Sequence, residues 1–170
     1  MKFSVKEDIL RERKRLECLR YLNRTKVDVG LTSGASERSR FLMALHEHGA
    51  PGAHIPARPV IAPALGTEKA REAISRELVN AAAAAHAGDK DAMQAALEKA
   101  GEAGTDAIRS YIDAGVPPPN APLTVEGGWI RNFTSKKPVH VEGKGFNKPL
   151  YNTGELYNDF DFEITERGSG

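Results

Sequence analysis

Cysteine is nearly missing from this chain. Cys18 stands alone among 170 residues, which excludes an intramolecular disulfide framework and any site built from several thiolates. Its place in a helix-like stretch marks it as a small buried apolar group. Aromatic residues are scarce at 6%, so packing has to rest on Leu, Ile, Val and many Ala. No apolar run approaches the roughly 18–20 residues that cross a bilayer, and the first residues, Met1 to Asp8, lack the apolar core of a signal peptide. The chain is therefore expected to be made and kept in a cytoplasm, with no membrane partner. Neither charge sign dominates. Lys and Arg number 24 and Asp and Glu 23, a balance that argues against affinity for nucleic acid over the whole surface.

What is present points to one α+β domain over residues 1–170, long enough to bury a core. Charge is segregated: residues 1–40 hold eleven basic and six acidic side chains, residues 151–170 one basic and five acidic. These ends can pair within one subunit or between neighbours. Phe3 and Val5 alternate with polar residues and suggest a short first strand. From Lys6 to Asn23 the period becomes helical, with Ile9, Leu16, Leu19 and Leu22 along one face. Val27, Val29 and Leu31 alternate as a strand, followed by a turn at Thr32-Ser33-Gly34. A second helix starts at Ser36, presents Phe41, Leu42, Leu45 and His48 on one face, and stops at Gly49.

Prolines 56, 59 and 63 keep the following stretch irregular. A long helical hairpin, about 68–114, is the clearest element. Thr67 caps the first arm, His86-Ala87-Gly88-Asp89 makes the reversal and Asp89 caps the second. Ala81 to Ala85 on one arm, and Ala100, Ala103 and Gly104 on the other, are small enough for close helix contact. Val116 to Pro122 is extended. Residues 127–149, rich in Gly and Lys with scattered Trp129, Ile130, Phe133, Val139 and Val141, read as an inserted, projecting loop or β-hairpin. Phe160 to Ile164 alternates as a final strand. The expected class is α+β: a small, mostly antiparallel sheet packed against helices.

Signals for catalysis are weak. His46 and His48 lie two residues apart, not the four that a helical zinc site needs, and even with His54 nearby they read more simply as packing and helix-end residues. Gly143 to Lys148 has the glycines and lysines of a phosphate loop but not their order. No serine sits in a nucleophile elbow, and no carboxylate pair stands apart for acid–base work. The expectation is a binding protein with no catalytic, cofactor-binding or metal residues.

Several segments carry a family resemblance when taken in order. They are Lys26 to Leu31, Ala44 to Gly49, Ile55 to Leu65, Pro118 to Thr124 and Lys148 to Leu156. Their order and spacing around the helical hairpin resemble the tail-component, or tail-completion and neck, proteins of tailed bacteriophages, including the virion-morphogenesis proteins of Mu-like phages. The resemblance covers about residues 26 to 164. It implies a structural virion protein acting in head–tail joining or tail completion, at the neck or tail top, as a ring of its own copies. The implied partners are a portal-side adaptor or connector and a tail terminator or tail-tube protein, with passing contact with phage DNA. Arg58, Trp129, Phe133, Lys136, Lys137, Lys144 and Lys148 become interface candidates. For Arg58, pinning its own loop is the alternative to an intersubunit contact. The sequence departs from the family by the insertion carrying Trp129 and by Tyr157-Asn158 after Leu156, where a Ser-Ile-like pair is usual. A DNA-associated protein using the basic first helix and the Lys-rich loop is the competing reading.

Overall fold

The computed structural model describes residues 5–53, 55–132, 134–150 and 154–167. In chain order these form α1 (Val5–Arg24), β1 (Thr25–Leu31), α2 (Glu37–His48), a single 3-10 turn (Pro51–Ala53) and α3 (Ile61–Leu65). Next come α4 (Glu68–Ala87), α5 (Lys90–Ala114), α6 (Pro122–Glu126), β2 (Gly127–Arg131), β3 (Pro138–Glu142), α7 (Glu155–Asn158) and β4 (Phe160–Glu166). The class is α+β, with two small antiparallel sheets, β1–β4 and β2–β3, set among long helices.

The α4–α5 hairpin forms as its caps require. The Thr67 hydroxyl accepts from the Ala70 amide and the Asp89 carboxylate from the Ala92 amide, satisfying N–H groups that have no partner within the helix. Gly88 turns the chain with φ 75°, a conformation that a side chain would strain. Ala81, Ala85, Met93, Ala96 and Leu97 are buried between the arms and α1, together with Cys18. The single cysteine is indeed a small buried group.

Strand β4 pairs with β1 in the register Val27↔Ile164, Val29↔Phe162 and Leu31↔Phe160. This sheet lies on α5, and glycine makes the approach possible. A Cβ at Gly101 would fall inside the Phe162 ring, and one at Gly104 would sit 2.9 Å from Val29 Cγ2. Gly104 therefore serves the sheet, not the helix pair for which its size had suggested it. A second cluster closes the other end of α5. Phe160, Ile108, Ile112 and Val60 have no exposed surface there, beside Met43, Val116 and Leu156.

Three expectations need correction. Val5 belongs to α1, not to a strand; Phe3 lies outside the described residues. On α1, Leu19 and Leu22 are half-buried, but Ile9 is 52% and Leu16 41% exposed. The helix crosses the α4–α5 turn at Arg15, whose backbone lies against Gly88, and the helical residues before it, 5–14, are all exposed. On α2 the buried positions are Ser39 and Met43, while Phe41 and His48 are exposed. The inward phase is set at the first turn, where Ser36 caps the Ser39 amide and its own amide donates to Asp159.

If the glycine notch sets the spacing between sheet and helix, Gly101→Ala should destabilise the chain. We expect a loss of about 1–3 kcal/mol from overpacking, although alanine gains roughly 1 kcal/mol of helix propensity over glycine. Urea unfolding measures the balance, and a variant more stable than wild type would show that Phe162 moves aside freely.

Candidate functional site: the hairpin and the groove beneath it

After α5 the chain runs through Val116 to Ala121 and enters α6 with Pro122 in its first turn, where a missing N–H costs nothing. This path is held by Arg58. The side chain is 6% exposed; its Nε donates to Pro118 O (2.8 Å) and its Nη2 to Pro119 O (3.0 Å). Both bonds are charge-assisted, and burial lowers the arginine pKa from its usual value. The Asn120 amide donates to Asn147 Oδ1, joining the same path to the loop beyond the hairpin.

From α6 rises the β2–β3 hairpin, the projecting element expected over 127–149, with Trp129↔His140 and Ile130↔Val139 opposite one another. Every residue of β3 is exposed. Trp129 is 72% exposed and makes an edge-to-face contact with His140, ring centroids 5.2 Å apart. Lys136 and Lys137 stand exposed at the tip, Lys136 with φ 56°. Phe133 lies outside the described residues.

Lys144 and Lys148 behave differently. Lys144 Nζ donates to Lys148 O (2.8 Å), and Lys148 Nζ pairs with Asp113 on α5, which also accepts from Tyr157 OH (2.9 Å). The Lys148 and Tyr157 hydrogen bonds hold the Asp113 carboxyl below its ordinary pKa. The interface candidates thus divide. Arg58 and Lys148 tie the segments flanking the hairpin to the body and Lys144 closes the loop after it on itself, whereas Trp129, Lys136 and Lys137 face outward.

Between hairpin and body lies an open groove of about 520 Å³. Its walls are Leu42, Leu123, Ile130, Val141, Leu150 and Leu156, with Arg38, Glu155 and Lys144 among its polar residues. Sequence reading missed it because its walls come from segments a hundred residues apart, each bearing one or two ordinary apolar side chains. His46 also lines the groove. Its Nδ1 is buried without a hydrogen-bond partner, and its pKa is lowered first by burial and then by the charges of Arg58 and Lys144.

Chemically the groove combines apolar walls with charges of both signs, Arg38 and Lys144 against Glu142 and Glu155. Glu155 is occupied by Ser36 and Arg38, and Glu47 accepts from the Val60 amide. Among the described residues no three His, Cys, Asp or Glu side chains gather as metal ligands; His54, the third histidine considered, lies outside them. Comparison with protein-family models, curated proteins and solved structures finds no match for the chain.

Two outcomes follow from this geometry. Arg58→Ala should cost about 1–3 kcal/mol in urea unfolding, since two part-buried charge-assisted hydrogen bonds to the Pro118 and Pro119 carbonyls are lost. Arg58→Lys should recover only part of that, because a single ammonium cannot reproduce the fork; full recovery would show that charge alone suffices. His46 adds a pH dependence. Its native pKa lies below the ordinary 6.5, so as pH falls the unfolded chain takes up the proton first. The stability His46 contributes is complete above about 6.5 and is lost as pH falls from there towards the native pKa. Unfolding measured between pH 7.5 and 5 should fall less steeply in His46→Gln than in wild type; identical slopes would remove His46 as the source.

Proposed function

We propose that this chain is a structural subunit of a tailed-bacteriophage particle, acting in head–tail joining or tail completion at the neck, where it assembles as a ring of its own copies. It performs no catalysis and needs no cofactor. The observation that carries the reading is the β2–β3 hairpin. A firmly fastened base supports an outward element bearing Trp129 at 72% exposure above a basic tip. An exposed aromatic on a rigidly rooted arm is an interface anchor. The ordered segments that resemble tail-completion and neck proteins support the same reading, and the α+β fold agrees with it. Use of Lys144 and Lys148 as internal fasteners weakens the competing DNA-binding reading, which drew on both.

Disrupting the gene in its phage and imaging lysates by negative stain tests the proposal. Filled heads beside unattached or overlong tails are expected; intact infectious particles would overturn it. A phage carrying Trp129→Ala should make folded subunit that enters particles poorly, because the indole makes little contact with its own domain. Unfolding of the purified variant at ordinary temperature would show that Trp129 instead supports the core.

A further inference from the structure

We infer that His46 is a pH-sensitive latch: when it takes up a proton, the segments flanking the hairpin part from α2 and free the arm that carries Trp129. The device is built into the single chain and does not depend on the proposed assembly. His46 stands where α2 meets both flanking segments. Its carbonyl accepts from the Arg58 amide (2.6 Å), and the Arg58 side chain holds the carbonyls of Pro118 and Pro119. Its ring lines the groove together with Asn120 and Lys144. Nδ1 of that ring is buried with no hydrogen-bond partner, and so is Asn120 Nδ2. A neutral imidazole tolerates this, since one of its nitrogens can remain a bare lone pair. The imidazolium does not. Both its nitrogens carry N–H, and the one at Nδ1 would be enclosed without an acceptor.

Neighbouring charge acts in the same direction. Around His46 stand Arg58, Lys144 and Glu142 at the end of the hairpin, Glu155 from α7, and Arg38, Glu47 and His48 on its own helix. Glu155 is held by Ser36 and Arg38, and Glu47 by the Val60 amide. Glu142 and His48 are exposed. After burial, the charges that bear on the ring are those of Arg58 and Lys144, and all three effects keep it neutral to a lower pH than usual. A third positive charge at this point is relieved by distance and by water, and parting the hairpin's base from α2 supplies both. Helix α2 is held in the body through Ser39 and Met43, so the proline path and the Lys144 loop are the parts that yield. In the parted state His46 regains its ordinary pKa of about 6.5, so parting is favoured as pH falls below that value.

Proton exchange on the full chain, followed by NMR and corrected for intrinsic rates, tests the latch at two sites. These are the Arg58 Nε–H, which donates to Pro118 O, and the Arg58 amide. Both should be less protected at every pH than the amides of Ile108 and Ile112 in the core, because the base parts without unfolding α5. Between pH 7.5 and 5 their protection in wild type should fall severalfold, with a ceiling of about thirtyfold set by the ordinary histidine pKa. In His46→Gln the same interval should change it by less than about twofold. Thermal melts matching wild type at pH 7.5 establish that the variant is folded; if it is not, His46→Asn replaces it. Exchange in step with Ile108 and Ile112, or an undiminished fall in His46→Gln, would overturn the latch. So would a His46 ring that titrates near 6.5 while the Arg58 protons stay protected, since the ring would then turn into the groove by itself.

Discussion

The β1–β4 pair can lie on α5 because two positions of that helix, Gly101 and Gly104, have no side chain. Glycine inside a helix costs about 1 kcal/mol relative to alanine, yet here it admits the Phe162 ring and the Val29 branches to the helix surface. The remaining architecture follows from that seating. With β4 fixed, Phe160 enters the cluster of Ile108, Ile112 and Val60, and its carbonyl accepts from Arg109 Nη2 at 2.8 Å. Helix α7, immediately before β4, is thereby held against α2 and supplies one wall of the groove. The end of α5 delivers Val116 into the same cluster and aims the proline-rich path at Arg58.

Different interactions along this path carry very different weight. Exposed ion pairs such as Lys26–Asp28 and Arg76–Glu77 contribute roughly 0–1 kcal/mol each. Arg58 contributes more because of what it bonds. Prolines 117–119 have no N–H to enter a helix or ladder, while their carbonyls still need donors. A planar guanidinium with several N–H groups can serve two adjacent carbonyls at once. Its burial has a desolvation cost, seen in its lowered pKa, and the two charge-assisted bonds offset that cost. The hairpin's base is fixed by this bonding, not by apolar burial.

Local chemistry was legible in the sequence, and tertiary phase was not. Ser36, Thr67 and Asp89 cap the helices they were expected to cap, and Gly88 makes the reversal, because capping depends on neighbours three residues away. The strand at Phe160 showed its alternation and extends to Glu166. Phe41, Ile9 and Leu16 misled because an apolar residue at helical spacing signals a face without saying whether this chain covers it. The same ambiguity assigned Gly104 to the wrong neighbour. Among the interface candidates, a lysine in a Gly-rich loop looks the same whether it faces outward, like Lys137, or ties down a loop, like Lys148. The groove left no trace in the sequence because it exists only where α2, α6, α7 and the hairpin meet.

The misleading residues share one property with Trp129. Phe41, Ile9, Leu16 and Trp129 are large, apolar and exposed, and each lies outside the two clusters that hold the body together. Scattered exposed apolar residues are ordinary, but the hairpin is a special case. A lone two-stranded hairpin is marginal in water, and this one has β3 exposed throughout and glycines at its foot. Its anchoring is concentrated at the base, through α6 and the bonds of Arg58, Asn120 and Lys148, so the tip gains little from the body. A surface that covered the Trp129 face would add apolar burial where the free chain has least. Order in the tip and attachment to a partner are then linked in sign: whatever stabilises one stabilises the other. In the proposed assembly, an element rooted this firmly and covered this poorly is the one that would meet a second surface.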